Sequence, residues 1–232
     1  MLAAIQHRGS DTVRFHEDDR LCAGVRASAL SEGRGDGFAE EGDLRVFFDG
    51  EVYNMRLKGK SDADVVLELY GKHGKTFPAY LEGVFACAIY NGADVILARD
   101  SVGVRPLYWG RTNKGDLCFA SELKSLVGVA AEVSELLPAT TFSSVSGVAE
   151  CLPRFPEVSV PASFDKAAGA LRECVTRGVE RRLDDGAVGA CLLSGGLDSS
   201  IIACVVHELG TDMPLLTVGM EGAPDLDRKS VV

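Results

Sequence analysis

The chain has 232 residues, 46% of them hydrophobic and 25% charged, enough for one large or two moderate hydrophobic cores. With 34 acidic against 24 basic residues, the formal net charge is -10 and the isoelectric point about 4.9, which argues against nucleic-acid binding, because that needs clustered Lys and Arg to meet phosphates. No apolar run reaches the length of a membrane span, and the opening MLAAIQHRGSD lacks the basic start and long apolar core of a secretory signal. The expectation is a cytoplasmic protein with small-molecule ligands and neither a membrane nor a nucleic-acid partner.

The seven cysteines, Cys22, Cys87, Cys118, Cys151, Cys174, Cys191 and Cys204, are odd in number, evenly spread and never spaced as CxxC. They read as small buried hydrophobes kept reduced. His7, His16, His73 and His207 are scattered, with none of the spacings that build a metal site.

In chain order, residues 1–11 read as the end of a helix running into a loop, and residues 21–28 as the first clear strand. Residues 31–43, rich in Gly, Glu and Asp, read as an exposed loop. Residues 44–48 form a strand by their β-branched and aromatic content, stopped by the turn signal Asp49-Gly50 and resumed briefly over 51–54. Ser61-Asp62-Ala63-Asp64 is a helix start, with Ser as cap and acids in the first turn. Val65, Val66, Leu69 and Tyr70 supply the apolar face, and Gly71 to Gly74 the end.

Residues 85–90 and 94–100 are strands joined at Asn91-Gly92, the strongest short hairpin signal in the chain. Residues 107–110 and 117–121 make a second hairpin around Asn113-Lys114-Gly115. Antiparallel strands with one or two helices therefore fill the first part, an α+β pattern. Pro138, Pro153, Pro156 and Pro161 mark a connection to a second unit, with a stray strand near 141–145. Phe164, Ala167, Ala168, Leu171, Cys174, Val175, Val179 and Leu183 recur at helical spacing.

Next comes the apolar run 188–193, the small-residue loop Ser194-Gly195-Gly196-Leu197-Asp198-Ser199-Ser200, a helical run and a strand over 215–219. This is a βαβ unit and hence part of a parallel sheet. One such unit cannot cover both faces of a parallel sheet, so the second domain reads as cut short at Val232.

A strand, small-residue loop and helix aim several backbone N–H groups and a helix N-terminus at one point, where an anion can sit. The glycines allow close approach, Ser194, Ser199 and Ser200 offer hydroxyls, and Asp198 suits the magnesium that accompanies a nucleotide. The loop lacks the Lys of the P-loop kinase type.

The loop resembles the pyrophosphate loop of N-type ATP pyrophosphatases. With HRGSD at 7–11, DGEVYN at 49–54, SDADVVLELY at 61–70, LEGVFACAIYN at 81–91, LARDSVGVRPLYWG at 97–110, FASELKSL at 119–126 and LLSGGLDSS at 192–200 in order, the whole chain resembles the glutamine-dependent asparagine synthetase family. The resemblance implies a glutaminase-like αββα sandwich of the N-terminal nucleophile hydrolase kind over residues 1–150. Over 162–232 it implies the first part of an α/β ATP pyrophosphatase domain. The implied activity is ATP-dependent amidation of aspartate through an acyl-adenylate, with nitrogen from glutamine or ammonia.

By the same resemblance Arg26, Asp49, Gly50, Glu51 and Asp62 fall in the glutamine site. A guanidinium suits the ligand's carboxylate, and Glu51 and Asp62 its ammonium. Leu193 and Val218 fall at the adenine, residues 194–200 at the pyrophosphate, and ATP with Mg2+ held by Asp198 are the implied cofactors. Members of this kind commonly pair through their first domain, so the resemblance allows a homodimer.

Two departures set expectations against glutamine hydrolysis. The family's nucleophile is an N-terminal cysteine, whereas this chain starts Met1-Leu2 and its first cysteine is Cys22. Asp49 stands where glutamine-using members carry Asn as an oxyanion donor, and a carboxylate there repels developing negative charge. The chain as given is therefore expected to be impaired. The rival expectations are a non-catalytic amino-acid-binding or pairing module and an amide-forming ligase of the β-lactam synthetase type.

Overall fold

The computed structural model describes residues 1–28, 35–150, 163–183 and 188–219. They divide into two compact units, Met1–Glu157 and Val158–Val232.

The first unit is built on a six-stranded sheet. Its strands, in spatial order, are β11 (Gly147–Glu150), β10 (Thr140–Ser143), β6 (Val95–Arg99), β5 (Gly83–Tyr90), β4 (Leu44–Val52) and β3 (Phe38–Glu41). All of its neighbouring strands pair antiparallel. Alternate residues of each strand face opposite sides, and both sides are buried. Val46, Phe48, Phe85, Cys87, Ile89, Ile96 and Ala98 face α1 (Asp62–His73), which contributes Val65, Val66 and Leu69 to one core.

Phe47, Ala86, Ala88, Tyr90, Leu97 and Phe142 form a second core on the other side. It is completed by Leu21 and Ala23, by Leu107 and Leu136, and by the partly buried Trp109, Leu117 and Phe119. Those residues belong to or flank the hairpin β1 (Thr12–Glu17) and β2 (Cys22–Ala27) and the sheet β7 (Tyr108–Arg111), β8 (Leu117–Ala120) and β9 (Glu132–Glu135). Outside β2 lies a 3-10 helix, Leu2–Arg8. The layers are thus helix, sheet, strands and helix, the αββα sandwich of N-terminal nucleophile hydrolases.

Several local expectations hold. Ser61 caps α1, accepting the Asp64 N–H while the Asp64 carboxylate accepts the Ser61 N–H, a reciprocal capping box. The Asn91-Gly92 hairpin joins β5 to β6, with Gly92 at φ 84° and the Asn91 side-chain oxygen accepting the N–H groups of Ala93 and Asp94.

Others are corrected. Asp49-Gly50 is no turn: β4 runs unbroken from Leu44 to Val52, because Gly50, lacking Cβ, lets the strand pass against the Val84 carbonyl. The segment 31–43 holds β3 over Phe38–Glu41, and residues 31–34 of it lie outside the described residues. The helix expected at the N-terminus is present as a 3-10 helix, with Ile5 outside helical dihedrals. The cysteines are mixed: Cys87, Cys118 and Cys191 are buried, whereas Cys22, Cys174 and Cys204 are exposed. Cys151 lies outside the described residues.

In the second unit, α2 (Phe164–Leu183) packs on α3 (Leu197–Glu208) through Val179, Val205 and Val206. The inner face of α3 packs on β12 (Cys191–Leu192) through Cys191, Leu193 and Ala203. β12 pairs parallel with β13 (Leu215–Leu216), which makes the expected βαβ unit.

The corner of the β5–β6 hairpin is tied to the strand beside it by one carboxylate. Asp94 accepts hydrogen bonds from Ser143 at 2.6 Å and Ser144 at 2.7 Å and pairs with Lys75 at 2.8 Å. Burial opposes its ionisation, but Lys75, Ser143 and Ser144 outweigh burial and lower its pKa to about 2. A carboxyl lowered on folding stabilises the native state above its unfolded pKa and loses that contribution as pH falls through the folded value. Asp94→Asn should therefore cost about 2 kcal/mol at pH 7. The difference from the native chain should vanish between about pH 5 and pH 2, as read by urea unfolding on the fluorescence of Trp109, the single tryptophan.

Candidate functional site

In the first unit, charged side chains from four segments meet at the end of β4. Asp49 and Glu51, two apart on one strand, point to the same face. Arg8, closing the 3-10 helix, donates to Asp49 at 2.6 Å across 41 residues of chain. Arg105, in the loop after β6, lies 3.7 Å from Asp49 and 3.8 Å from Glu51. Glu51 also accepts from the Tyr53 hydroxyl at 3.2 Å.

A third carboxylate extends the row: Glu122 pairs with Arg8 at 3.6 Å, His7 at 2.7 Å and Lys124 at 2.9 Å. Lys124 chiefly, with His7 and against desolvation, holds Glu122 below the ordinary carboxylate range. Lys124, Glu122, Arg8, Asp49, Arg105 and Glu51 thus alternate in sign.

The sequence-derived residues border this row. Arg26 on β2 donates to the Gly9 carbonyl at 2.9 Å, one residue from Arg8, and its buried Nε has no hydrogen-bond partner among the described residues. Asp62 opens α1 and is 5% exposed. Its carboxylate accepts the Val52 N–H at 3.0 Å, next to Glu51. Gly50 stands between the two acids, where a Cβ would come within 2.1 Å of the Val84 oxygen.

The structure brings Asp49 and Glu51 into the row, with Gly50 between them, and holds Asp62 on the Val52 N–H beside Glu51 and Arg26 on the Gly9 carbonyl beside Arg8. It adds His7, Arg8, Arg105, Glu122 and Lys124, which sequence reasoning did not single out although all five lie inside the quoted motifs. Asp49 is not an isolated charge: Arg8 and Arg105 offset it. Cys22 sits at the opposite end of β2 from Arg26.

In the second unit, Leu193 and Val218 follow the parallel strands β12 and β13, at their carboxyl ends, where open α/β sheets take ligands. Leu193 is buried and Val218 is 91% exposed. Gly195 turns the chain at φ 74°. The Ser194 and Ser199 hydroxyls lie 3.0 Å apart, and Ser194 Oγ accepts the Gly196 N–H at 3.3 Å. Ser199 Oγ donates to the Gly196 carbonyl at 3.1 Å, and Ser200 N–H bonds the same carbonyl. Gly196 caps α3 without a side chain, which leaves helix N–H donors facing out of the loop. Asp198 lies in the first turn, its carboxylate without a partner among the described residues. A loop with outward donors and one carboxylate fits a phosphate ligand and its metal ion.

Residues 1–146 match the family model of the glutamine amidotransferase domain, more than half of the chain, and residues 170–232 match that of asparagine synthase. The chain belongs to the asparagine synthetase family. Glutamine-hydrolysing asparagine synthetase 2 of Arabidopsis thaliana is 30% identical over 96% of this chain and 43% of its own length. The nodule asparagine synthetase of Pisum sativum, also glutamine-hydrolysing, is 32% identical over 96% of this chain and 42% of its own length. The chain therefore spans less than half the length of the curated relatives it matches. The solved structure of glutamine phosphoribosylpyrophosphate amidotransferase from B. subtilis, with ADP and GMP, aligns over 100% of this chain and 67% of its own, at 17% identity and a TM-score of 0.49.

The close approach at Gly50 gives a direct test of how the site is held. Gly50→Ala should force β4 away from Val84 and cost about 3 kcal/mol in urea unfolding, with Asp49 and Glu51 displaced together.

Proposed function

We propose that this chain is part of an ATP-dependent amidotransferase, in which the first unit binds glutamine and the second binds ATP with Mg2+. The observation that supports the reading is that Asp49 and Glu51 share Arg105 at the end of β4, with the Asp62 carboxylate on the Val52 N–H next to Glu51. Arg26, whose buried Nε has no hydrogen-bond partner among the described residues, would supply the guanidinium for the ligand's carboxylate, and the acids suit an α-ammonium.

In this reading Arg26 takes the ligand's carboxylate, Glu51 and Asp62 take its ammonium, and Gly50 keeps the strand backbone close to the ligand. Asp49 accepts hydrogen bonds and cannot donate them, so it favours a distal amide presented through its NH2. Ser194, Gly195, Gly196, Ser199 and Ser200 would cradle the pyrophosphate, Leu193 and Val218 would flank the adenine, and Asp198 would hold the metal ion. When bound, ATP supplies the group that activates a carboxylate for amidation. The acceptor carboxylate in this reading is aspartate, as the names of the curated relatives suggest.

A second reading is favoured by Asp49 itself: a site that binds the amino acid without hydrolysing it. Calorimetry with L-glutamine, beside a coupled assay for ammonia release, separates the two. Binding with release supports the amidotransferase, and binding without release supports the sensor.

Arg26→Ala should weaken glutamine binding at least about tenfold, the loss of one charge-assisted hydrogen bond to a carboxylate. Failure of the native chain to bind either L-glutamine or L-glutamate would overturn both readings. ATP binding should require Mg2+ and be lost in Asp198→Ala, measured by equilibrium dialysis with and without EDTA.

A further inference from the structure

The loop that carries Arg105 is held far more tightly than a connection between strands requires. Asp100 Oδ1 accepts the N–H groups of Val102, Gly103 and Val104 at 3.0, 2.6 and 3.2 Å. Its Oδ2 accepts those of Arg105 at 3.3 Å and Phe85 at 3.1 Å. From the other side, Arg99 Nε donates to the Arg105 carbonyl at 2.7 Å and Nη2 to the Gly103 carbonyl at 2.9 Å. Its Nη1 is anchored on the Leu136 carbonyl and the Glu135 carboxylate, both at 2.6 Å.

The amide and the carbonyl of Arg105 are therefore each gripped by a buried charge, for Arg99 is 5% and Asp100 1% exposed. Burying two charges is costly unless every partner is fixed. The part of the loop that Asp100 grips returns little apolar burial for that cost, since Val102 and Val104 are 66% and 56% exposed and only Leu107, next to β7, enters the core. Gly103, at φ 75°, is pressed against Pro138 and the Arg99 guanidinium, where a Cβ would come within 2.7 Å of the proline ring. A surface loop that served only to connect β6 and β7 could leave its backbone groups to water. The end of this one gives Leu107 to the second core, and its middle delivers Arg105 to Asp49 and Glu51.

We infer that Arg99 and Asp100 are positioning residues of the amino-acid site: they fix the backbone of residue 105 so that its guanidinium bridges Asp49 and Glu51. This deepens the proposed function and rests on it only for the identity of the ligand. The competing account is that the two buried charges simply close the end of the β5–β6 hairpin.

The test reads the arginine Nε–H resonances of the full chain by NMR without ligand, with Arg105 assigned by its loss in Arg105→Lys. Asp100→Asn weakens the grip on the amide, and Arg99→Lys keeps the charge but removes the grip on the carbonyl. In either variant that retains a native far-UV spectrum, the Arg105 signal should shift and exchange with water about tenfold faster. The Arg45 signal, whose guanidinium pairs with Glu40 at 3.0 Å, should stay in place. An unmoved Arg105 signal in a folded variant overturns the inference in favour of the hairpin-closing account. If Asp100→Asn does not fold, Arg99→Lys decides alone. Because the resonance is read without ligand, a native chain that binds no glutamine overturns the proposed function and not this assignment. Where glutamine does bind, the same variants should weaken it about fivefold and add nothing further in an Arg105→Met background.

Discussion

Five backbone N–H groups close on the carboxylate of Asp100, and much of the first unit's site depends on that contact. One of the five belongs to Phe85 on β5, which lies opposite Gly50 of β4 in the sheet register. The other four belong to the loop that ends in Arg105. A single buried anion thus ties the strand beneath the site to the loop above it. In a low-dielectric interior such a cluster holds together only when it is fully satisfied. The site is consequently built on the rigid part of the fold, although Arg105 itself is carried by a loop.

The two-sided burial of the six-stranded sheet gives the same rigidity to the acids. Asp49 and Glu51 belong to a strand paired with β5 from Arg45 to Val52. Their neighbours Phe48 and Val52 point into one core and Phe47 into the other. Side chains at the end of such a strand have little freedom to drift, and a binding site benefits when its charged groups are set before the ligand arrives. The second unit works differently. Its loop is knitted by hydroxyls to its own backbone, which leaves the helix end open toward a ligand.

Much of the fold was legible because its signals are local. Ser61 with Asp64, Asn91-Gly92 and the helical spacing from Phe164 to Leu183 each encode an element within a few residues. The misreading at Asp49-Gly50 has a long-range cause: the pair is a turn signal on its own, and only the backbone of β5, far away in sequence, makes the glycine a strand residue. Short strands such as β3 and β9 escaped because four residues carry too little periodicity to separate from a loop. The partners of Asp49 escaped for a similar reason, since ion pairs between distant segments leave no spacing to read. The chain motifs around Arg8 and Arg105 were visible, but their convergence on one carboxylate was not.

That convergence changes what a substitution at position 49 means. Carboxylate and amide are nearly the same size, so exchanging them reads as a small change in shape. Here the carboxylate is the counterion of two guanidiniums, and an amide in its place would leave Arg8 and Arg105 facing one another across a neutral side chain. Positions 8, 49 and 105 therefore act as one unit of charge, in which a change at any member alters the balance at the other two.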